Sequence, residues 1–204
     1  MDDLVIPILE TERLRLRPFR LSDFDDYAAM CGDPEVARYL GTRFSREQSW
    51  RHLAFLVGHW ELRGYGMWAV EERETGTFVG RIGFADPDGW PGCELAWTLL
   101  RHWWGRGYAT EGARAALVHA FTALDKDRVI SLIHPENHAS IRVAERLGES
   151  LRGRAEILGR EHLVYGIDRK DCASDLLCSR VRRSRASSLV SIRGIRESLQ
   201  VDNL

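Results

Sequence analysis

Trp103-Trp104-Gly105-Arg106-Gly107-Tyr108-Ala109-Thr110-Glu111-Gly112 joins the end of an apolar strand to a helix through a turn built on two glycines. Neither Gly105 nor Gly107 has a Cβ, so the backbone can curl tightly and approach a ligand closely. The first free N–H groups of the helix, from Arg106 to Thr110, then face outward at the positive end of its dipole, which suits an anion. An ordinary strand-to-helix turn has the same spacing, and spacing alone leaves both readings open. A phosphate loop of the nucleotide-binding kind fits less well, because Gly105-Arg106-Gly107 lacks the Gly-Lys-Ser/Thr that would hold phosphate and Mg²⁺.

Just upstream, Cys93 to Leu99 reads as a strand. Alternation puts Cys93, Leu95, Trp97 and Leu99 on an apolar core face and Glu94, Ala96 and Thr98 on the other. Glu94 is thus on the less apolar side, and one reading has it facing water at a sheet edge. Met67 to Glu71 and Phe78 to Phe84 form a hairpin around Thr75-Gly76. Nearer the start, Arg13 to Arg17 alternates strictly and is the first strand. Ser22 opens a short helix to Met30, and Asp33-Pro34 a second to about Leu40. Ser45, with Gln48 three residues on, makes a capping box for a long helix to Leu62. Trp50, Leu53, Leu56, Val57 and Trp60 should form its buried stripe.

Downstream of the turn come a helix from Tyr108 to Leu124, a strand from Val129 to Ile133, and a helix from His138 to Leu147 closed by Gly148. Strands Leu151 to Ile157 and His162 to Ile167 follow. Antiparallel strands leading into a β-α-β-α core predict an α/β (α+β) domain with a mixed, mostly antiparallel central sheet flanked by helices.

The chain of 204 residues suits one domain, assigned to residues 1–170. Residues 171–204 form a basic tail, expected to be disordered or loosely docked. From Cys172 onward, 33 residues carry seven serines and six arginines against three acidic residues, too little apolar surface for a core. A net charge of -1 gives no basic field for nucleic acid, so any anion site is local. The acidic start Met1-Asp2-Asp3 is unlike a secretory signal and no apolar run approaches ~20 residues. The chain therefore reads as soluble and cytoplasmic, without a membrane partner. Cys31, Cys93, Cys172 and Cys178 form no Cys-x-x-Cys pair, and Cys31 and Cys93 read as small buried hydrophobes. His134 and His138 have no carboxylate or cysteine at ligand spacing and read as surface or gating residues.

Taken in order, several segments resemble the GNAT superfamily of N-acetyltransferases over about residues 8 to 169. They are Thr11-Glu12-Arg13-Leu14-Arg15-Leu16-Arg17, the acidic helix after it, Asp33-Pro34-Glu35-Val36, Trp104-Gly105-Arg106-Gly107-Tyr108-Ala109-Thr110-Glu111 and Asn137-His138-Ala139-Ser140. The likeness is closest to the RimJ/RimL-like branch, which acetylates N-termini of ribosomal proteins. It implies a sheet whose strands at Cys93–Leu99 and Val129–Ile133 splay apart, with acetyl-CoA as co-substrate and no metal. The pyrophosphate would lie on main-chain N–H groups of Gly105, Arg106, Gly107, Tyr108, Ala109 and Thr110. The pantetheine arm would pair with the main chain of Trp97, Thr98 and Leu99. Asn137, which also suits an N-cap, would touch that arm, and Ser140 would lie near the thioester sulfur. Glu94 would be the carboxylate near the acceptor amine, which makes Glu94 and Ser140 the candidate catalytic pair. His102 departs from the family, which often has Gln or Arg there; a main-chain grip makes the change inexpensive.

The implied activity is direct acetyl transfer to a primary amine, on a protein N-terminus or a small molecule, by a monomer or homodimer. A module that holds acetyl-CoA as a sensor, without turnover, is the alternative. Trp50, Trp60, Trp68 and Trp90 are candidates for an acceptor cleft, although aromatics at such spacing belong more often to a core. Trp90, in a loop with Pro87 and Pro91, is the best exception.

Overall fold

The computed structural model describes residues 5–172; residues 173–204, nearly all of the basic tail, lie outside them. Eight strands form one sheet: β1 (Leu9–Glu10), β2 (Leu14–Arg17), β3 (Met67–Glu72), β4 (Phe78–Ala85), β5 (Glu94–Leu99), β6 (Arg128–Ile133), β7 (Ser150–Ile157) and β8 (Arg160–Asp168). Their order is β1-β2-β3-β4-β5-β6-β8-β7, and every neighbouring pair is antiparallel except β5–β6. That pair is parallel and in register at a single position, Glu94 opposite Ile130, after which the two strands part. The mixed α/β architecture is therefore the expected one, including the split at its centre.

Helices α1 (Phe24–Gly32), α2 (Pro34–Ala37) and α3 (Arg46–Arg63) cover one face. There Tyr27, Met30, Leu53 and Leu56 pack against Met67, Ala69 and Phe78. Helices α4 (Tyr108–Thr122) and α5 (His138–Leu147) cover the other, over Leu14, Leu16, Ile82, Leu95 and Leu99. Gly112 lets α4 lie close: a Cβ there would sit 2.5 Å from Ile82 Cδ1. The α3 capping box forms as spaced, Ser45 Oγ accepting from Gln48 N (3.1 Å) and Gln48 Oε1 from Ser45 N (2.8 Å).

Several expectations change. A two-residue strand, β1, precedes the strand read as first, and Asp23 rather than Ser22 stands at the N-cap of α1. Helix α2 ends at Ala37 rather than near Leu40, whose side chain is exposed. Trp50 does not join the buried stripe: it is 49% exposed and edge-on to Phe24, because the first turn of α3 has only α1 beneath it. Trp60 and Trp68 belong to the core, their rings 4.9 Å apart, which removes them from an acceptor cleft.

One polar network ties the layers together. Arg17 on β2 is buried, giving Nη1 and Nη2 to Asp23 (2.7 and 2.8 Å) and Nε to Glu71 (2.6 Å). Asp23 also accepts from Arg20 N (2.7 Å), fixing the turn that opens α1. Among the described residues no helix is long and apolar enough to cross a membrane.

Candidate active site

The glycine turn has the backbone its sequence requires. Gly105 (φ 76°) and Gly107 (φ 80°) are both left-handed, a region that L side chains rarely adopt. Gly107 caps α4, whose first helical bond runs from Glu111 N to Gly107 O (3.0 Å). The N–H groups of Tyr108, Ala109 and Thr110 precede that bond and lie at the exposed, electropositive end of the helix.

The residues bracing this turn come from the chain's opening segment. Glu111 accepts from Thr11 Oγ1 (2.6 Å), Arg13 N (2.8 Å) and Arg13 Nε (2.7 Å). Arg13 Nη1 also donates to Arg106 O (3.0 Å), and its guanidinium lies over the Tyr108 ring. Tyr108 Oη in turn donates to Glu72 (2.8 Å). The Thr11-Glu12-Arg13 segment thus has a structural purpose: it clamps the N-terminal end of α4 from nearly a hundred residues away.

At the split, odd-numbered residues of β5 turn their main chain toward β6. Ile130 N donates to Cys93 O and Ser131 Oγ to Leu95 O, while Leu100 N faces β4 and donates to Val79 O. By alternation the N–H and C=O of Trp97 face the gap, and those of Thr98 face β4. Leu99 O accepts from the Trp104 indole (2.9 Å). Of the three main-chain positions proposed for a pantetheine arm, Trp97 has the most open geometry, with Leu99 N beside it.

Asn137 caps α5, its Oδ1 accepting from Ser140 N (3.1 Å). Ser140 Oγ accepts from Trp97 Nε1 (3.3 Å), so α5 and β5 are joined across the α4/α5 side of the gap. Glu94 is on the opposite side, on the face of β5 shared with Ala96 and turned toward α1 and α3.

The water-facing reading of Glu94 fails. Strand β5 is interior to the sheet and Glu94 is only 9% exposed. Its Oε2 accepts from Trp90 Nε1 (2.7 Å), and its carboxyl also meets the N–H of Leu132 on β6. Burial pushes its pKa up to about 7, against smaller downward pulls from the Trp90 indole, Arg81 and the Leu132 N–H. The loop tryptophan singled out in the sequence is thus a partner of Glu94.

Sequence reasoning missed a second carboxyl at this point. Glu149 follows α5, is 4% exposed, and lies 3.1 Å from Ser131 Oγ. Ser131 has one hydroxyl proton and gives it to Leu95 O at 2.8 Å. A protonated Glu149 resolves the geometry by donating to Ser131 Oγ. Burial pushes Glu149 up to about 8, Glu94 adding to the rise and the Ser131 contact opposing it. Its Oε2 has no partner, which a neutral carboxyl tolerates better than a carboxylate. Because the folded-state pKa is raised, the contribution to stability is whole below about pH 4.5 and is lost as pH rises toward 8. Glu149→Gln should therefore match the parent's Tm at pH 4 and exceed it by roughly 5 °C at pH 8.5. A Tm gap that stays constant across that range would refute the assignment.

Among the described residues no group of His, Cys, Asp and Glu could hold a metal ion. His138 is exposed, and the His134 ring lies 5.4 Å from that of Tyr39. Cys31 and Cys93 are buried and free, as expected, and burial pushes the Cys93 thiol up to about 12.

The split between β5 and β6, the N-terminal end of α4 and the buried Glu94 carboxyl are all carried by β5 and the turn that follows it. The chain belongs to the GNAT acetyltransferases: the family model for an acetyltransferase (GNAT) domain matches residues 13–149. It is 31% identical over 148 residues to the uncharacterized N-acetyltransferase p20 of Bacillus licheniformis, a match spanning 71% of this chain and 83% of that one. The crystal structure of an acetyltransferase from Agrobacterium tumefaciens shares 34% identity at a TM-score of 0.74, over 80% of this chain and 95% of that one. RimL, a ribosomal L7/L12 alpha-N-protein acetyltransferase in complex with coenzyme A, shares the fold (TM-score 0.65, 17% identity, 79% and 97% covered). The protein is an acetyltransferase of a family that uses acetyl-CoA.

Proposed function

We propose that this chain transfers acetyl directly from acetyl-CoA to a primary amine, with Glu94 as general base and Ser140 as the hydroxyl that donates a hydrogen bond, or relays a proton, to the leaving thiolate. The observation that carries the proposal is Glu94 itself: a buried carboxyl at the parting of β5 and β6, oriented by Trp90 and poised near pH 7. A base is most effective when its pKa lies near the working pH.

Acetyl-CoA, when bound, supplies an activated thioester carbonyl; the chain's residues do the rest. N–H groups from Gly105 to Thr110 suit its pyrophosphate, and the Trp97 main chain and Asn137 suit its pantetheine arm. Glu94 takes the proton of the attacking amine on the α1/α3 side. Ser140 Oγ accepts from the Trp97 indole, so its own O–H is free to donate a hydrogen bond to a departing thiolate, which finally gains the proton that the amine has given up. The indole fixes the hydroxyl's position, which is the kind of preorganisation such a site needs.

The acceptor follows from amine chemistry. An α-amino group, with a pKa of about 7.8, is roughly one-quarter neutral at pH 7.4, whereas a lysine is only about 0.1% neutral, a difference of ~3.5 kcal/mol. One base of modest strength serves the first class far better. A protein N-terminus, as in the RimJ/RimL-like branch, and a small α-amine are the two acceptors that fit. A thiol-release assay with acetyl-CoA, peptides of different N-termini and a set of small amines tests the reading. Release with α-amines, at least ~100-fold above lysine side chains, is expected. Binding of acetyl-CoA with no release across the panel would leave the sensor reading in its place.

A further inference from the structure

Arg17, Ala69, Arg81 and Thr98 lie in one row across β2, β3, β4 and β5, because each is the register partner of the next. Ala69 packs in the core under α1 and α3, so both arginines rise from the face that also carries Glu94. Their situations are opposite. Arg17 is fully paired, with Asp23 and Glu71 in contact. The Arg81 side chain has no hydrogen bond or ion pair among the described residues, and its Nε is buried without a partner.

Among the groups whose titration is shifted, Tyr27, Cys31, His52 and Glu94 feel its charge, while the nearby Glu71 carboxylate on β3 is taken up by Arg17. Burial raises the Tyr27 phenol and the Cys31 thiol, and Arg81 pulls each back down a little. Burial, with Arg81 second, pushes His52 down to about 3, so its ring is neutral and free to share a proton with Tyr27 Oη 2.6 Å away. None of these supplies a permanent counter-anion, and Glu94 is only partly ionised near neutral pH. An arginine stays charged, and a desolvated one without an anion is costly. Between Arg81–Thr98 and Ala85–Glu94 the middle pair on this face is Gly83 and Ala96, so small groups floor the run from the guanidinium to the base.

We propose that Arg81 binds a carboxylate carried by the acceptor, so that the substrate is an amine bearing a carboxylate a short distance from the nitrogen. This rests on the reading of Glu94 as the base for that nitrogen. Nε is buried, but the terminal Nη1 and Nη2 are not among the buried unpartnered atoms and form a two-donor fork, which matches the two oxygens of a carboxylate. One carboxylate also balances one guanidinium. A phosphomonoester, carrying about two charges, would leave an excess beside Glu94 with no second cation among the groups Arg81 polarises.

The test compares amino acids with their carboxamides, and O-phosphoethanolamine with ethanolamine, in the thiol-release assay. The parent, Arg81→Met and Arg81→Lys are assayed in parallel. The parent should prefer carboxylate over carboxamide by at least ~10-fold in kcat/KM, the effect lying in KM. Arg81→Met should erase that preference, carboxylate and carboxamide being compared within each enzyme at its own pH optimum because losing Arg81 also raises Glu94, and Arg81→Lys should keep part of it. Without substrate, Arg81→Met should be at least as thermally stable as the parent, because it deletes an unpaired charge. Equal use of carboxylate and carboxamide, preference for the phosphate compound, or loss of stability in Arg81→Met would each overturn the proposal. Thermal shift by the same compounds separates the two readings. Stabilisation by carboxylates, lost in Arg81→Met, with no thiol release from any amine, would uphold the carboxylate site and refute acetyl transfer to these amines.

Discussion

Glu94→Gln is expected to lower kcat by ~100-fold or more at pH 7.5, within the range usual for loss of a general base. Glutamine keeps the size of the side chain and can still accept from the Trp90 indole, so the fold and the affinity for acetyl-CoA should persist. The pH dependence supplies the sharper readout. A base must be deprotonated to work, so kcat of the parent should rise through a limb near pH 7, the value to which burial brings Glu94. That limb should vanish in Glu94→Gln. The amine titrates too, and its contribution is separated by changing the acceptor: a limb that follows the acceptor's pKa belongs to the amine. A limb that stays near 7 belongs to the enzyme. If Glu94→Gln retained more than a third of the parent's kcat with the limb unchanged, another group would have to take the proton.

What made this site legible was local. Two glycines before a helix announce left-handed backbone and free N–H donors, and both glycines have it. Ser45 and Gln48 announce a capping box in the same way. Each of these is settled by residues within a few positions of one another. The clamp on the glycine turn is different: Glu111 meets Thr11 and Arg13 only because α4 lies over β2, and no pattern in either segment names the other. Glu94 shows the same limit. Alternation gave its face, but its burial comes from β6 on one side and β4 on the other, and its indole partner from the loop before β5. Glu149 follows a helix-stopping glycine, a place where a glutamate ordinarily meets water. Only the return of β7 and β8 beside β6 encloses it with Ser131. Periodicity failed in one instance, Trp50, where a position in phase with the buried stripe extends past the sheet that the stripe covers.

Arg17→Met should cost 3–5 kcal/mol of stability, the typical penalty for removing one partner of a buried ion network. Asp23 and Glu71 are themselves buried, and in the variant neither would have a buried cation left. Glu71 keeps only the longer contacts from Arg20 (3.3 Å) and Arg15 (3.4 Å), whose side chains are exposed and half-buried respectively. The loss should appear as a lower midpoint in urea with an unchanged slope. Combining Arg17→Met with Asp23→Asn and Glu71→Gln should recover much of it, because the cost lies in the stranded carboxylates rather than in the missing arginine. The effect reaches the site through α1. The Asp23 turn opens that helix, and α1 carries Tyr27 and Cys31 onto the face where Arg81 and Glu94 sit. Acceptor KM should therefore rise in Arg17→Met at temperatures where the sheet is still folded, while affinity for acetyl-CoA, held by the α4 end, changes less. A penalty below 1 kcal/mol, or equal losses of both affinities, would show that the network does not set the position of α1.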